Sequence, residues 1–67
     1  MKIKLTKDCE VECWSGRTET YVQFSKGDEF TVTNDKESQE EGYYMRSGDE
    51  DYGDMYIKMD CATGPNV

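Results

Sequence analysis

The residues that could do chemistry in this 67-residue chain are carboxylates, thiols and tyrosines. It contains fifteen Asp and Glu, three Cys and five Tyr, but no His. Without histidine it lacks the usual neutral-pH general base, the partner that activates Ser or Cys nucleophiles, and the commonest metal ligand. Paired carboxylates could still hydrolyse a glycosidic bond, but so small a domain has no cleft deep enough to raise a carboxyl pKa by burial. We therefore expect a protein that is not an enzyme and uses no cofactor.

Most of the negative charge falls in residues 35–54. This stretch holds eight acidic and two basic residues, so it accounts for −6 of the net charge of −7. A surface with this charge could bind a basic surface on another protein, and its electrostatic field would speed the encounter and disfavour wrong partners. It could equally do no more than keep exposed loops solvated. Both interpretations stay open at this point. Direct binding to nucleic-acid phosphates is not expected, because that affinity comes largely from Lys and Arg, although the acids could imitate those phosphates.

Tyrosines lie next to these acids along the chain. A tyrosine ring is rigid and apolar with a polar tip, and it is enriched at the centres of protein interfaces. We predict that the partner is a larger protein with a basic surface. The residues predicted to bind it are Glu40, Glu41, Tyr43, Tyr44, Asp49, Glu50, Asp51, Tyr52 and Asp54. Trp14 could be either a lid on the core or an exposed anchor.

The acidic run that begins at Asp49 invites comparison with a calcium-binding loop. An EF-hand loop has acids at positions 1, 3 and 5 and glycine at position 6. Counted from Asp49, position 5 is Gly53 and position 6 is Asp54, so an EF-hand is excluded. We predict no metal site, and only a weak adventitious cation site stays open.

The three cysteines indicate core packing and a reducing compartment. Cys9 and Cys13 share one face of a predicted strand and lie roughly 13 Å apart, too far for a mutual disulfide. An odd and small number of cysteines favours reduced thiols in the cytoplasm. The chain contains no apolar stretch of the roughly 20 residues that a membrane span needs, so no membrane association is expected.

Residue patterns predict an all-β protein with one domain, residues 1–62, followed by a flexible tail, 63–67. Alternating and β-branched runs place strands near residues 2–5, 9–13, 18–24, 29–33, 42–47 and 55–59, with a short final pairing at 61–62. Residues 34–41 have nothing apolar to bury and should form an exposed, mobile loop. Five or six short strands favour a small closed barrel, since closure removes exposed edges.

Three segments resemble SH3-like barrels in the same order. Residues 24–32 (Phe-Ser-Lys-Gly-Asp-Glu-Phe-Thr-Val) resemble the signature at the diverging turn of that family. Residues 42–46 are similar to its Gly-Trp-Trp strand, and residues 54–61 stand where it has its Gly-Leu-Phe-Pro segment. The resemblance spans about residues 21–61 and implies a small SH3-like barrel of five or six antiparallel strands. Because the first and last strands are neighbours in that family, it also implies that Cys61 approaches Cys9 or Cys13.

Two functional hypotheses follow from the resemblance and the charge. SH3 domains that bind proline-rich peptides carry tryptophan where this chain has Tyr43, and proline where it has Ile57. Our first hypothesis is therefore an acidic protein-binding module, monomeric or weakly dimeric. In type it is similar to small phage accessory proteins that bind and inhibit a nucleic-acid-binding site on a host protein. The alternative is an SH3-type binder of short peptides that uses Tyr43, Tyr52 and Tyr56.

Overall fold

The fold is built from short strands, as the residue patterns predict. The structure is a computed structural model that describes residues 1–63. Its strands are β1 (Lys2–Leu5), β2 (Cys9–Ser15), β3 (Thr18–Phe24), β4 (Glu29–Thr31), β5 (Tyr43–Asp49), β6 (Gly53–Lys58) and β7 (Ala62–Thr63). A short helix, α1 (Lys36–Glu40), precedes β5, and a 3₁₀ turn, Met59–Cys61, precedes β7. The all-β class is confirmed.

The strands form two antiparallel sheets. The larger sheet has the order β3-β2-β6-β5, and the smaller has the order β4-β1-β7. Between them, Thr33 forms an isolated antiparallel bridge to Met45. Within residues 1–63 the two sheets do not close into a continuous barrel, because β3 pairs with β2 alone and forms an open edge. The expectation of a closed barrel with no exposed edge is therefore not met.

The core lies between the sheets and follows the period-two pattern of the strands. On β2, Cys9, Val11 and Cys13 are buried while Glu10 is exposed. The other buried apolar residues are Ile3, Leu5, Val32, Tyr44, Met55, Ile57 and Cys61. Phe24 and Phe30 pack edge to face with ring centroids 5.1 Å apart and cover one side of this core. Each strand of the larger sheet thus has one inward face and one outward face.

The polar segment before β5 is not a simple loop, which corrects the expectation for residues 34–41. Asp35 caps α1, accepting hydrogen bonds from the Glu37 amide at 3.2 Å and from Ser38 Oγ at 2.8 Å. Asp at such a position satisfies amides that the helix leaves unpaired. Ser38 is buried, and its Oγ lies 3.7 Å from Met45 Sδ. Capping and one buried polar contact stabilise a turn of helix that apolar patterning could not indicate.

The end of the described chain pairs with its beginning. In β7, Ala62 pairs with Leu5 and Thr63 pairs with Lys4. Thr63, which the residue patterns place in the flexible tail, therefore belongs to a strand, and the rest of that predicted tail lies outside the described residues. Among residues 1–63, no helix is both long enough and apolar enough to cross a membrane.

Candidate binding cleft

The candidate site lies on the outer face of the larger sheet, the face opposite the core. Strand pairing puts one residue from each strand in a row across it: Tyr21 pairs with Glu12, Glu12 pairs with Tyr56, and Tyr56 pairs with Met45. In a neighbouring row, Trp14 pairs with Glu19 on one side and with Asp54 on the other. Residues directly opposite each other have Cβ atoms about 5 Å apart. Aromatic rings and carboxylates are therefore side by side on this face.

A cleft of about 320 Å³ opens on the outer face between β2, β5 and β6. Its lining consists of three aromatic residues and two carboxylates: Glu12, Trp14, Glu41, Tyr43 and Tyr56. None of the five carries a positive charge. The volume is at the low end of the range for small-molecule sites, about 300–1,000 Å³. It therefore suits one side chain of a partner better than a cofactor.

Trp14 and Glu12, which both line the cleft, are joined by a hydrogen bond. They lie two residues apart on β2 and so point to the same face. The indole Nε1 donates a hydrogen bond to Glu12 Oε2 at 2.6 Å, which fixes the indole and orients the carboxylate. Both side chains are half-buried. This bond leaves Glu12 Oε1 to accept a hydrogen bond from a ligand.

Tyr43 and Tyr56 also line the cleft, and their rings contact each other. Tyr43 begins β5 and Tyr56 lies on β6, and their rings meet edge to face with centroids 6.4 Å apart. Such pairs are favourable because the positive edge of one ring meets the negative face of the other. Glu41 lies two residues before β5, is exposed and also lines the cleft. The site is thus assembled from β2, β6 and the start of β5.

The close approach of β6 to β2 beneath Trp14 depends on a glycine. Gly53 has φ of +74°, and a Cβ at this position would collide with the carbonyl oxygen of Trp14. Only glycine meets both the positive φ and the lack of space. Gly53 therefore sets the spacing of the two strands that carry Trp14 and Tyr56.

The electrostatic character of the outer face is shown by Tyr21, which is 54% exposed. The pKa of its phenol is raised, first by the negative charge of Glu19 and further by Glu12 and Glu10. A neighbouring carboxylate disfavours a phenolate because like charges repel. The face is therefore negative around Tyr21, whereas the exposed Lys58, which pairs with Tyr43, adds a positive charge beside the cleft.

Two acids at the β5–β6 turn accept hydrogen bonds that stabilise the turn. Asp49 Oδ1 accepts hydrogen bonds from the amides of Asp51 at 2.9 Å and Tyr52 at 3.0 Å, and its Oδ2 lies 3.2 Å from Arg46 Nε. These backbone amides, followed by Arg46, lower the pKa of the Asp49 carboxyl. Asp54 Oδ1 accepts from the Gly48 amide at 3.2 Å. Two of the three predicted partner-binding aspartates, Asp49 and Asp54, are therefore already engaged within the turn.

The remaining predicted residues divide between cleft, core and solvent. Glu41 and Tyr43 line the cleft, while Glu40, Glu50 and Asp51 are exposed elsewhere. Tyr44 is only 5% exposed and belongs to the core, so the alternation of β5 removes it from the binding surface. Tyr52 packs edge to face on Phe24, with centroids 5.5 Å apart, and does not share the cleft with Tyr43 and Tyr56.

The acids of residues 35–54 do not form one cluster. Those of α1 lie near the start of β5, and those of the turn lie at its other end, roughly 20 Å away at the usual rise of a strand. The cleft also contains Glu12, which appears in neither hypothesis, Trp14, which we consider as a possible exposed anchor, and Tyr56, which belongs to the alternative peptide-binding hypothesis. Alternation on β2 indicated that Glu12 faces outward. What the sequence could not indicate is that β6 pairs with β2 and brings Tyr56 beside it.

The thiols and carboxylates offer no second kind of site. Cys61 lies next to Cys9, as the resemblance implied, and both thiols are free and buried. Burial, and then the neighbouring Cys61, raises the pKa of Cys9 to about 11, and burial likewise raises that of Cys13. Thiols in such surroundings are poor nucleophiles. In the described part of the chain, no three acidic or cysteine side chains gather as metal ligands would.

Comparison with known proteins gives no relative: no family model, curated protein or solved structure matches the chain.

Proposed function

We propose that this protein is a non-enzymatic protein-binding module whose cleft receives a cationic side chain, best an arginine, from a basic surface on a larger protein. The single observation that carries the proposal is the lining of the cleft by three aromatic residues and two carboxylates. An arginine guanidinium stacks on aromatic faces and donates forked hydrogen bonds to carboxylates. Each part of that recognition has a counterpart among Glu12, Trp14, Glu41, Tyr43 and Tyr56.

The surroundings of the cleft support a basic partner. Glu10, Glu19 and Asp54 lie on the same face, and the raised pKa of Tyr21 shows the effect of this charge. Complementary potentials guide two proteins together and penalise wrong pairings. A neutral or acidic ligand would gain nothing from this field, and a nucleic acid would be repelled by it.

Inhibition of a nucleic-acid-binding site is the cellular role that we propose for this binding. A basic surface that normally holds phosphates would be blocked by a bound acidic module, as the small phage accessory proteins do to host enzymes. The exposed acids on either end of β5 could add contacts at the edge of such an interface. The alternative role, recognition of short peptides by Tyr43, Tyr52 and Tyr56 together, has less support because Tyr52 packs on Phe24.

We also propose an SH3-like arrangement of the elements, though with an open edge. Three features support it. In residues 1–63, β1 pairs with β7 as the first and last strands. Residues 25–28 form a tight turn with Gly27 at φ of +96°, and a polar segment connects β4 to β5. This proposal concerns the fold and does not by itself assign a ligand.

Calorimetric titration with short peptides tests the proposed ligand. An arginine-rich peptide should bind, a lysine-rich peptide of equal charge should bind several-fold more weakly because it lacks the planar fork, and a glutamate-rich peptide should not bind. Raising the salt concentration should weaken the arginine complex, since exposed charges are screened. Equal affinity for the arginine and lysine peptides would argue for charge alone, and no binding of either would reject the cleft as a cation site.

A further inference from the structure

The open edge of the larger sheet is the feature that the proposed function leaves unused. β3 pairs with β2 over seven consecutive residue pairs with no shift of register. Within residues 1–63, no strand pairs with its other side. Natural proteins usually protect such an edge with lysine, proline, a bulge or a covering element. β3 contains neither lysine nor proline, and Glu19 is its one charged residue.

The opposite edge of the same sheet is protected in the usual ways. β5 has a register irregularity between Arg46 and Asp49. It also contacts α1 through Ser38 and Met45, and it bridges to Thr33. Of the two edges of the larger sheet in residues 1–63, it is therefore the β3 edge that presents a regular row of backbone groups to a new strand.

The hairpin geometry shows which backbone groups of β3 are free. Ser15 and Thr18 close a two-residue turn of Gly16 and Arg17, and Gly16 has φ of +64°. The closing pair of such a hairpin is hydrogen-bonded, and the bonding alternates along the strand. The residues that direct their N–H and C=O groups away from β2 are therefore Glu19, Tyr21 and Gln23. All three are exposed.

We propose that two copies of this protein dimerise by antiparallel pairing of β3 with β3 about a two-fold axis at Tyr21. In this register Tyr21 faces the second copy's Tyr21, and each Glu19 faces a Gln23. All three free residues of each strand are used, which gives about six backbone hydrogen bonds. No like charges face each other directly, whereas a register centred on Glu19 would oppose the two glutamates. The surface is thus complementary to itself, as a two-fold interface must be.

The dimer would join two larger sheets into one continuous sheet of eight strands. Both outer faces would then lie on the same side, so the two clefts would face a partner together. Because each chain carries a net charge of −7, the copies repel at a distance and the dimer is weak at low salt. Added salt screens this repulsion. Salt should therefore strengthen self-association, whereas it weakens binding of a basic partner. Because the two salt effects are opposite, an experiment can reject the dimer without rejecting the cation-binding cleft, and the reverse.

Sedimentation equilibrium tests for the dimer directly. Between about 10 µM and 2 mM, a concentration range suited to a small and weak interface, the wild-type protein should pass from monomer to dimer. The transition should move to lower concentration as salt rises. A protein that stays monomeric over the whole range at both low and high salt would overturn the proposal, and a protein that forms larger, open-ended assemblies would contradict the closed two-fold pairing.

Cysteine cross-linking tests the register. A hydrogen-bonded pair of opposed residues has a Cα separation of about 5.5 Å, within reach of a disulfide. Tyr21→Cys should therefore form a covalent dimer with glutathione disulfide as the oxidant. The matched control, Glu19→Cys, lies on the same face, but in this register its two copies are roughly 14 Å apart. Wild type gives the background from the three buried thiols. Equal cross-linking of both variants would contradict the two-fold axis at Tyr21.

Discussion

The indole Nε1 of Trp14 donates a hydrogen bond to Glu12 Oε2 over 2.6 Å, on the outward face of one strand. This bond joins an aromatic ring and a carboxylate into one prepared unit. Tyr56 lies opposite Glu12 on the next strand, so the unit is part of the cleft before any ligand arrives. A site whose groups are already oriented loses less entropy on binding.

The Trp14–Glu12 bond predicts a specific response of the indole proton. Glu12→Ala removes the acceptor, so the indole N–H resonance should move toward that of an unbonded indole and its exchange with solvent should become faster. Glu12→Gln keeps an acceptor oxygen and should shift the resonance less. Both are read from proton–nitrogen NMR spectra. An indole signal that is the same in wild type and in Glu12→Ala would show that the bond does not form in solution.

Gly53 predicts a large loss of stability when a methyl group is added. Gly53→Ala combines a positive φ with a collision against the Trp14 carbonyl, and we expect the free energy of unfolding to fall by about 3 kcal/mol or more. Gly48→Ala is the matched control, since Gly48 has a similar φ of +71° but open space around it. It should cost only about 1 kcal/mol. Urea denaturation measures both, and equal losses would contradict the close approach of the strands.

Asp49 predicts a pH-dependent contribution to stability. Its carboxyl pKa is lowered in the folded state by the Asp51 and Tyr52 amides and by Arg46, so the folded protein favours the charged form. The stabilisation is complete above the unfolded aspartate pKa of about 3.9 and disappears as the pH falls through the folded pKa. The stability difference between wild type and Asp49→Asn should therefore be largest near neutral pH and shrink in acid. Glu50→Gln, on an exposed neighbour, should show no such trend.

Cys9 predicts slow reaction with thiol reagents. Burial and the adjacent Cys61 raise its pKa to about 11, so at neutral pH the native protein contains almost no Cys9 thiolate, the reactive form. Alkylation by iodoacetamide, followed by mass spectrometry, should be far slower in native protein than in urea. Rapid native labelling of Cys9 would contradict both its burial and its raised pKa.

Sequence patterns could predict much of the fold because strand alternation is a local property. The inward residues of β2 and β6 and the turn at Gly27 follow from neighbouring residue types alone. The helix α1 was missed because its stability comes from the cap at Asp35 and from Ser38 packing near Met45. These contacts carry no apolar signal.

The candidate site was harder to predict because it depends on contacts between distant strands. The charge density of residues 35–54 predicts a binding surface there. In the structure, however, Asp49 and Asp54 accept hydrogen bonds within the β5–β6 turn, and Tyr44 is buried in the core. Only the pairing of β2 with β6 places Glu12 beside Tyr56, and no local pattern contains that information. Within the predicted surface, Glu41 and Tyr43 reach the cleft.

The most direct test of the central claim is the affinity of an arginine-rich peptide for two variants that lose the same charge. In the cleft variant, Glu12→Gln is combined with Glu41→Gln; in the control, Glu50→Gln is combined with Asp51→Asn on the exposed turn. We predict that the cleft variant raises the dissociation constant roughly tenfold or more, equivalent to about 1.4 kcal/mol of lost binding free energy. The control should change it by less than about twofold. Equal weakening by both variants would show that net charge, not the cleft, determines binding.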